Sequence, residues 1–132
     1  MWAEAKDAGG SGAAATRCRV LVVEDEPSSR RALIALLQLR GFEATFAESV
    51  ADAMKRLEQR PECVLLDLML PDGNGSVVLQ HIRDQGLPIR VAVMTGASNW
   101  QALLNHGRLQ PDTLFTKPLD LNRVLEWLER AA

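Results

Sequence analysis

Short apolar runs alternate along the chain with segments in which apolar residues recur every three or four positions. The runs are rich in Val, Leu and Ile and predict β-strands buried on both faces, whereas the recurring stripes predict amphipathic helices. The predicted strands cover residues 19–23, 44–47, 63–66, 89–94 and 113–116. The predicted helices cover residues 27–40, the stretch from a cap at Ser49 to Pro61, residues 76–84, residues 99–106 and the stretch after a cap at Asp120.

Five strand–helix units in succession predict an α/β domain built on one parallel sheet, with helices on both faces and right-handed crossovers. In such sheets, ligands bind in the crevice at the carboxyl ends of the strands, where the strand order reverses. That edge is therefore the place to look for chemistry.

Composition limits the class of protein. The chain has 132 residues, a net charge of −2 and 15 scattered Lys and Arg residues, which argues against a nucleic-acid partner. No apolar run approaches membrane-spanning length. Cys18 and Cys63 lie in strand-like contexts and are predicted to be buried free thiols, which favours the cytoplasm. Residues 1–16 are rich in Ala, Gly and Ser and predict a flexible tail, leaving residues 17–132 as the folded domain.

Polar residues follow four of the five predicted strands. Glu24 and Asp25 come after the first, Asp67 after the third, Thr95 after the fourth and Lys117 after the fifth. Because the carboxyl ends of parallel strands share one edge, these side chains are expected to converge there.

The convergent residue types favour phosphoryl chemistry. Three carboxylates packed together repel one another, and a hard divalent cation with oxygen ligands, most naturally Mg²⁺, offsets their charge. A central carboxylate such as Asp67 can act as a nucleophile toward a phosphoryl group. Lys117 and the Thr95 hydroxyl can then neutralise or hydrogen-bond the phosphoryl oxygens.

Four motifs carry a resemblance to a known family. The stretches "LVVEDEP", "LLDLMLPDGNG", "MTGAS" and "TKP", in this order and spacing, resemble the receiver domain of two-component response regulators over residues 17–128. The resemblance implies a flavodoxin-like, doubly wound five-stranded parallel sheet of order 2-1-3-4-5 with five helices. It also implies Mg²⁺ as the cofactor.

The resemblance also implies a role for each site residue. It makes Asp67 the phosphoacceptor, Asp25 a direct Mg²⁺ ligand, Glu24 a mostly water-mediated one, the Met69 carbonyl the third protein ligand, Thr95 the switch hydroxyl and Lys117 the phosphate-binding lysine, with a cis bond to Pro118.

One departure from the family pattern concerns the switch. Many receivers carry Tyr or Phe three residues before the lysine, where this chain has Leu114, with Phe115 pointing to the other face. Trp100, Leu114 and Trp127 place apolar area on the face of the fourth helix, fifth strand and fifth helix, which is expected to bind the downstream protein target.

The resulting hypothesis is a phosphorylation-operated switch. Asp67 would take a phosphoryl group from a histidine kinase or a histidine phosphotransfer protein, and the chain would be no enzyme beyond its own phosphorylation and dephosphorylation. Two alternatives stay open: a degenerate receiver that binds partners without phosphorylation, and an aspartyl-nucleophile phosphatase. The phosphatase is disfavoured because Met69 stands where such enzymes carry an acid–base Asp.

Overall fold

The computed structural model describes residues 18–131. The predicted flexible tail, residues 1–16, lies outside the described residues. The strands are β1 (Arg19–Val23), β2 (Glu43–Ala47), β3 (Cys63–Asp67), β4 (Met69–Leu70), β5 (Gly73–Asn74), β6 (Arg90–Thr95) and β7 (Thr113–Thr116). The helices are α1 (Pro27–Leu39), α2 (Val50–Arg56), α3 (Ser76–Asp84), α4 (Trp100–Leu103) and α5 (Leu121–Ala131), with a 3₁₀ turn, Leu57–Gln59, after α2.

Five strands form one parallel sheet in the order β2-β1-β3-β6-β7. This confirms the predicted fold and the predicted order 2-1-3-4-5, which counts only the strands of this sheet. The other two strands, β4 and β5, form a small antiparallel ribbon in the loop that follows β3. The strand order reverses at β1, so the crevice at the carboxyl end of the sheet lies beside β1 and β3.

Alternate residues of each central strand feed two cores on opposite faces of the sheet. In β1, Leu21 and Val23 belong to one core, and Val20 and Val22 belong to the other. The first, here called the α2–α3 core, also takes residues from α2 and α3; the second, the α1–α5 core, takes residues from α1 and α5. Both cores hold the carboxyl ends of the strands in a fixed register.

The helix starts follow their local sequence. The Ser49 hydroxyl accepts a hydrogen bond from the Asp52 backbone N–H at 3.0 Å, which confirms the predicted cap of α2. Before α5, an Asp120 carboxylate oxygen accepts from the Asn122 backbone N–H at 3.1 Å, as predicted. At α1 the cap is Glu26, whose carboxylate accepts from the Ser29 N–H at 2.7 Å.

The predicted helix over residues 99–106 is wrong beyond Leu103. Asn105, His106 and Gly107 have φ values of 58°, 50° and 86°, in the left-handed region that an α-helix cannot use. The helix therefore closes after one turn, and the chain folds back through a loop before β7.

The two cysteines are free and buried, as predicted. The neighbouring Cys63 thiol and burial together raise the pKa of Cys18. Within residues 18–131, no helix is both long and apolar enough to cross a membrane.

Candidate functional site

The carboxyl edge of the sheet brings three carboxylates together. One oxygen from each of Glu24, Asp25 and Asp67 lies within 4.8 Å of the others. Glu24 and Asp67 are 3% and 5% exposed, whereas Asp25 is exposed to solvent. Acidic groups this close repel one another, and an all-oxygen set open on one side fits a hard divalent cation that keeps some of its water.

Lys117, which follows β7, pairs with two of these acids. Its ammonium nitrogen Nζ donates to Glu24 Oε1 at 2.7 Å and to Asp67 Oδ2 at 2.9 Å. Burial alone would lower the pKa of Lys117, but the hydrogen bonds and charges of Glu24 and Asp67 outweigh it and raise the pKa above its ordinary value. The ammonium is therefore firmly charged and bridges two strand ends.

Backbone N–H groups occupy the remaining oxygens of the two buried acids. Asp67 Oδ1 accepts from the Met69 N–H at 3.0 Å, and Glu24 Oε2 accepts from the Glu26 N–H at 3.1 Å. Each buried carboxylate thus has one oxygen on the lysine and one on its own loop. This arrangement fixes the orientation of both groups and meets the hydrogen-bonding need of buried charges.

Thr95 ends β6 on the same edge and is 1% exposed. Its hydroxyl oxygen accepts from the Ala97 N–H at 3.0 Å, and its carbonyl accepts from the Lys117 N–H at 2.9 Å. The Lys117–Pro118 bond is cis, as predicted. Strand-end position therefore brings Thr95 and Lys117 to neighbouring places beside the acids.

The loop after β3 contains features that the strand pattern could not predict. Gly75 packs on the backbone of Asp67, and its N–H donates to the Leu68 carbonyl at 2.8 Å. The Asn74 side-chain amide donates to the Leu103 carbonyl at 2.9 Å and so ties this loop to α4. The sequence "PDGNG" predicted a turn here but did not predict these contacts with residues outside the turn.

Only two of the three residues predicted to form the partner-binding face lie together in the structure. Trp100 and Leu114 are half-buried, pack on the α2–α3 core and line a surface groove of ≈ 570 Å³. Trp127 does not join them. It is 7% exposed and packs in the α1–α5 core, and the Arg90 guanidinium carbon lies 5.4 Å from the centre of its ring. The stripe of α5 that contains Trp127 turns inward, so this residue is part of the core. Phe115 points to the opposite face from Leu114, as predicted.

A comparison with known protein families agrees with this fold and with this arrangement of acids and lysine. The family model of the response regulator receiver domain matches residues 20–129. The chain belongs to this family. Receiver domains are regulatory modules, not conventional enzymes, and they interact with histidine kinases.

Individual relatives agree with the assignment. The chain is 33% identical to the acid tolerance regulatory protein ActR of Rhizobium meliloti over 107 residues, which cover 80% of this chain and 55% of ActR. It therefore spans about half the length of the curated relatives that it matches.

Solved structures match over nearly the whole domain. The receiver domain of a putative LuxO repressor from Vibrio parahaemolyticus has a TM-score of 0.74 at 28% identity, covering 88% of this chain and 93% of that one. The response regulator TrrA of Thermotoga maritima, in complex with Mg²⁺–BeF, has a TM-score of 0.74 at 26% identity, covering 86% and 98%.

Proposed function

We propose that this receiver is a phosphorylation-operated switch in which Asp67 accepts a phosphoryl group with the help of Mg²⁺. The donor is a phosphohistidine on a histidine kinase or a histidine phosphotransfer protein. The observation that carries the proposal is the Asp67 carboxylate, which is buried at a strand end between a charged lysine and two further acids. A purely structural carboxylate has no need of the additional acids.

The transfer exchanges one bond for another. An Asp67 carboxylate oxygen forms the new bond to phosphorus, and the bond between phosphorus and the donor imidazole nitrogen breaks, with its electron pair staying on that nitrogen. The Met69 N–H holds Asp67 Oδ1, and Lys117 holds Oδ2. The carboxylate is thus oriented before the donor arrives, which is most of what phosphoryl transfer asks of a protein.

The acidic cluster would hold the cation. Asp25 and Asp67 would supply carboxylate oxygens directly and Glu24 mostly through water, from a cluster whose oxygens lie within 4.8 Å of one another. By the family resemblance, the backbone carbonyl of Met69 would supply the third protein ligand. Mg²⁺ bound there offsets the negative charge of the transferring phosphoryl oxygens. The complex of TrrA with Mg²⁺–BeF supports this choice of ion.

Lys117 and Thr95 would receive the new charge. The Lys117 ammonium already contacts Asp67 and can pass from Glu24 to a phosphoryl oxygen when the acceptor is modified. The Thr95 hydroxyl accepts from the Ala97 N–H and still has its own hydrogen, which it can donate to another phosphoryl oxygen when it turns toward the modified acceptor. The movement of Thr95 changes its contact with the Ala97 N–H and so affects the loop after β6, which leads to α4.

The site disfavours a hydrolase. Met69, two positions after the acceptor, has a thioether side chain that is 58% exposed and transfers no protons. The presence of all five polar side chains at one edge likewise argues against a degenerate receiver, in which the acceptor or its partners would be missing.

The groove beside Trp100 and Leu114 is the proposed binding surface for a downstream protein. The folded domain is proposed to span residues 17–132. Kinase-driven signalling and two free buried thiols favour the cytoplasm.

Intact mass spectrometry tests the proposal. After incubation with acetyl phosphate and Mg²⁺, the wild-type protein should gain the mass of one phosphoryl group. Asp67→Asn and an EDTA-treated sample should gain nothing. Asp84→Asn is the matched control, because it changes an exposed carboxylate on α3 whose contact is with Gln80. An unmodified wild-type protein, or an adduct that persists in Asp67→Asn, would contradict the assignment of the acceptor.

A further inference from the structure

Arg30, in the first turns of α1, reaches back over the loop between β1 and α1. Its Nη1 donates to the Glu24 carbonyl at 3.2 Å and lies 3.5 Å from the Asp25 carbonyl. These carbonyls belong to the two residues whose side chains form the acidic cluster with Asp67. Arg30 therefore contacts the backbone that presents the acids rather than their carboxylates.

The other side of the guanidinium is anchored to β2 and to the residue that follows it. Nη2 lies 3.4 Å from Glu48 Oε2, and the guanidinium carbon lies 4.6 Å from the centre of the Phe46 ring. The Arg30 side chain is only 11% exposed. A planar guanidinium with several N–H groups can contact two carbonyls, a carboxylate and an aromatic face at once. A lysine ammonium at this position would not stack on the ring and could not keep all of the hydrogen bonds.

This contact matters most for Asp25. Asp25 is exposed and follows the end of β1, so the position of its carboxylate depends on the conformation of the loop backbone. A loop that is already held in place loses less conformational entropy when a cation binds, so binding is stronger. Groups outside the ligand shell that hold ligands in this way commonly change metal affinity.

We propose that Arg30 is a positioning residue for cation binding: it locks the β1–α1 loop to β2 so that Glu24 and Asp25 face the cation. The inference rests on the proposed function, since it concerns the same acidic cluster. It makes a prediction opposite to that of simple electrostatics. Removing a positive charge beside a cation site should strengthen cation binding, whereas removing a positioning residue should weaken it.

The test compares Arg30→Gln with Arg31→Gln. Arg31 is the next residue of α1, is exposed and carries the same charge, so the pair separates position from charge. Mg²⁺ binding is measured by isothermal titration calorimetry. Arg30→Gln should weaken binding about tenfold, at the lower end of the range for such outer contacts, whereas Arg31→Gln should leave it unchanged or slightly tighter.

Two further variants preserve the charge. Arg30→Lys should recover only part of the affinity. Phe46→Leu keeps every charge and removes the ring under the guanidinium, and it should weaken Mg²⁺ binding about two- to fivefold. Phe46 is 37% exposed, so this variant should fold even if Arg30→Gln does not, and it then carries the comparison.

Phosphoryl uptake from acetyl phosphate gives an independent reading. In Arg30→Gln, the Mg²⁺ concentration for half-maximal uptake should rise, while the rate at saturating Mg²⁺ stays close to wild type. A general loss of structure would lower the plateau as well.

The outcomes separate the two proposals. If the wild-type protein binds Mg²⁺ and gains a phosphoryl group, but Arg30→Gln and Phe46→Leu bind Mg²⁺ as Arg31→Gln does or more tightly, the positioning role is overturned and the proposed function stands. If the wild-type protein itself binds no Mg²⁺ and gains no phosphoryl group, both are overturned.

Discussion

Gly75 shows how one residue controls the position of the acceptor strand end. A Cβ at this position would overlap the carbonyl oxygen of Asp67. We therefore expect Gly75→Ala to destabilise the protein by about 1–3 kcal/mol, the usual range for overpacking a well-filled site. It should also slow phosphoryl uptake, because relief of the overlap moves Asp67. Urea unfolding and the acetyl phosphate reaction measure the two effects.

Gly96 provides the control for Gly75. An added Cβ there would lie 3.6 Å from Lys117 Cβ, which is an ordinary contact. Gly96→Ala should change the free energy of unfolding by no more than about 0.5 kcal/mol. Equal losses of stability in the two variants would mean that the close approach to Asp67 is not the cause.

The residues of the site could be predicted for a topological reason. Asp67 and Thr95 end their strands, and Glu24 and Lys117 directly follow theirs. Because parallel strands end at one edge of the sheet, residue type and position were enough to group these side chains. The close packing of Gly75 could not be predicted, because it depends on how the loop folds back on β3.

At the scale of elements, Asp72 holds the loop after β3 against the start of α2. Its carboxylate oxygens accept from the Val50 N–H at 2.8 Å and from the Ala51 N–H at 3.0 Å. These two hydrogen bonds lower the pKa of Asp72. The first turn of α2 is thus capped twice. Ser49 precedes it in the chain, and Asp72 reaches it from the loop that follows β3.

The lowered pKa of Asp72 gives a pH dependence of known sign. A carboxyl group whose pKa is lower in the folded protein contributes stability above its unfolded pKa of about 3.9, and loses it as pH falls through the folded pKa. The difference in unfolding free energy between wild type and Asp72→Asn should be largest near neutral pH and should shrink below about pH 4. Urea titrations across this range measure it, and a constant difference would count against the cap.

Asn74 joins the same loop to α4. Its amide nitrogen donates to the Leu103 carbonyl, while its amide oxygen accepts from the Ser76 N–H at 2.9 Å. Asn74→Asp keeps the acceptor and removes the donor. Since one hydrogen bond contributes about 1 kcal/mol, the amides of Leu103 and Leu104 should exchange with solvent about fivefold faster. Hydrogen-exchange NMR measures this, with the α3 amides as the internal reference; unchanged exchange in α4 would refute the link.

Element types were predictable from the sequence, but the length of α4 was not. The strands are uninterrupted apolar runs, and α3 and α5 have clear apolar stripes, so their periodicity was decisive. In α4 the ordinary helix formers after Trp100 suggested a longer helix. The left-handed conformations of Asn105 and His106, which end it, depend on tertiary structure that local propensity does not contain.

At the scale of the whole molecule, α4 and α5, the two helices next to β7, differ in how deeply they pack into the cores. Residues of α5 such as Val124 and Leu128 are buried in the α1–α5 core. No residue of α4 is fully buried, and Trp100 and Leu103 pack only partly against the α2–α3 core. Of these two helices, α4 is the less firmly anchored, so a change in the β6–α4 loop should displace α4 more readily than α5.

Single-tryptophan variants test where the phosphorylated site acts. Trp2→Phe/Trp127→Phe leaves Trp100 as the reporter, and Trp2→Phe/Trp100→Phe leaves Trp127. Acetyl phosphate with Mg²⁺ should change the emission of Trp100, which is half-buried on α4, and leave that of Trp127 nearly constant in its core.

The change at Trp100 should vanish in Asp67→Asn, because no acceptor remains. It should decrease in Asn74→Asp, which still accepts the phosphoryl group but has lost the hydrogen bond from the acceptor loop to α4. An equal response from both tryptophans would mean that phosphorylation alters the sheet as a whole. A response confined to Trp100 would place the output of this receiver on α4, because that helix is linked to the site and is less restrained by the core than α5.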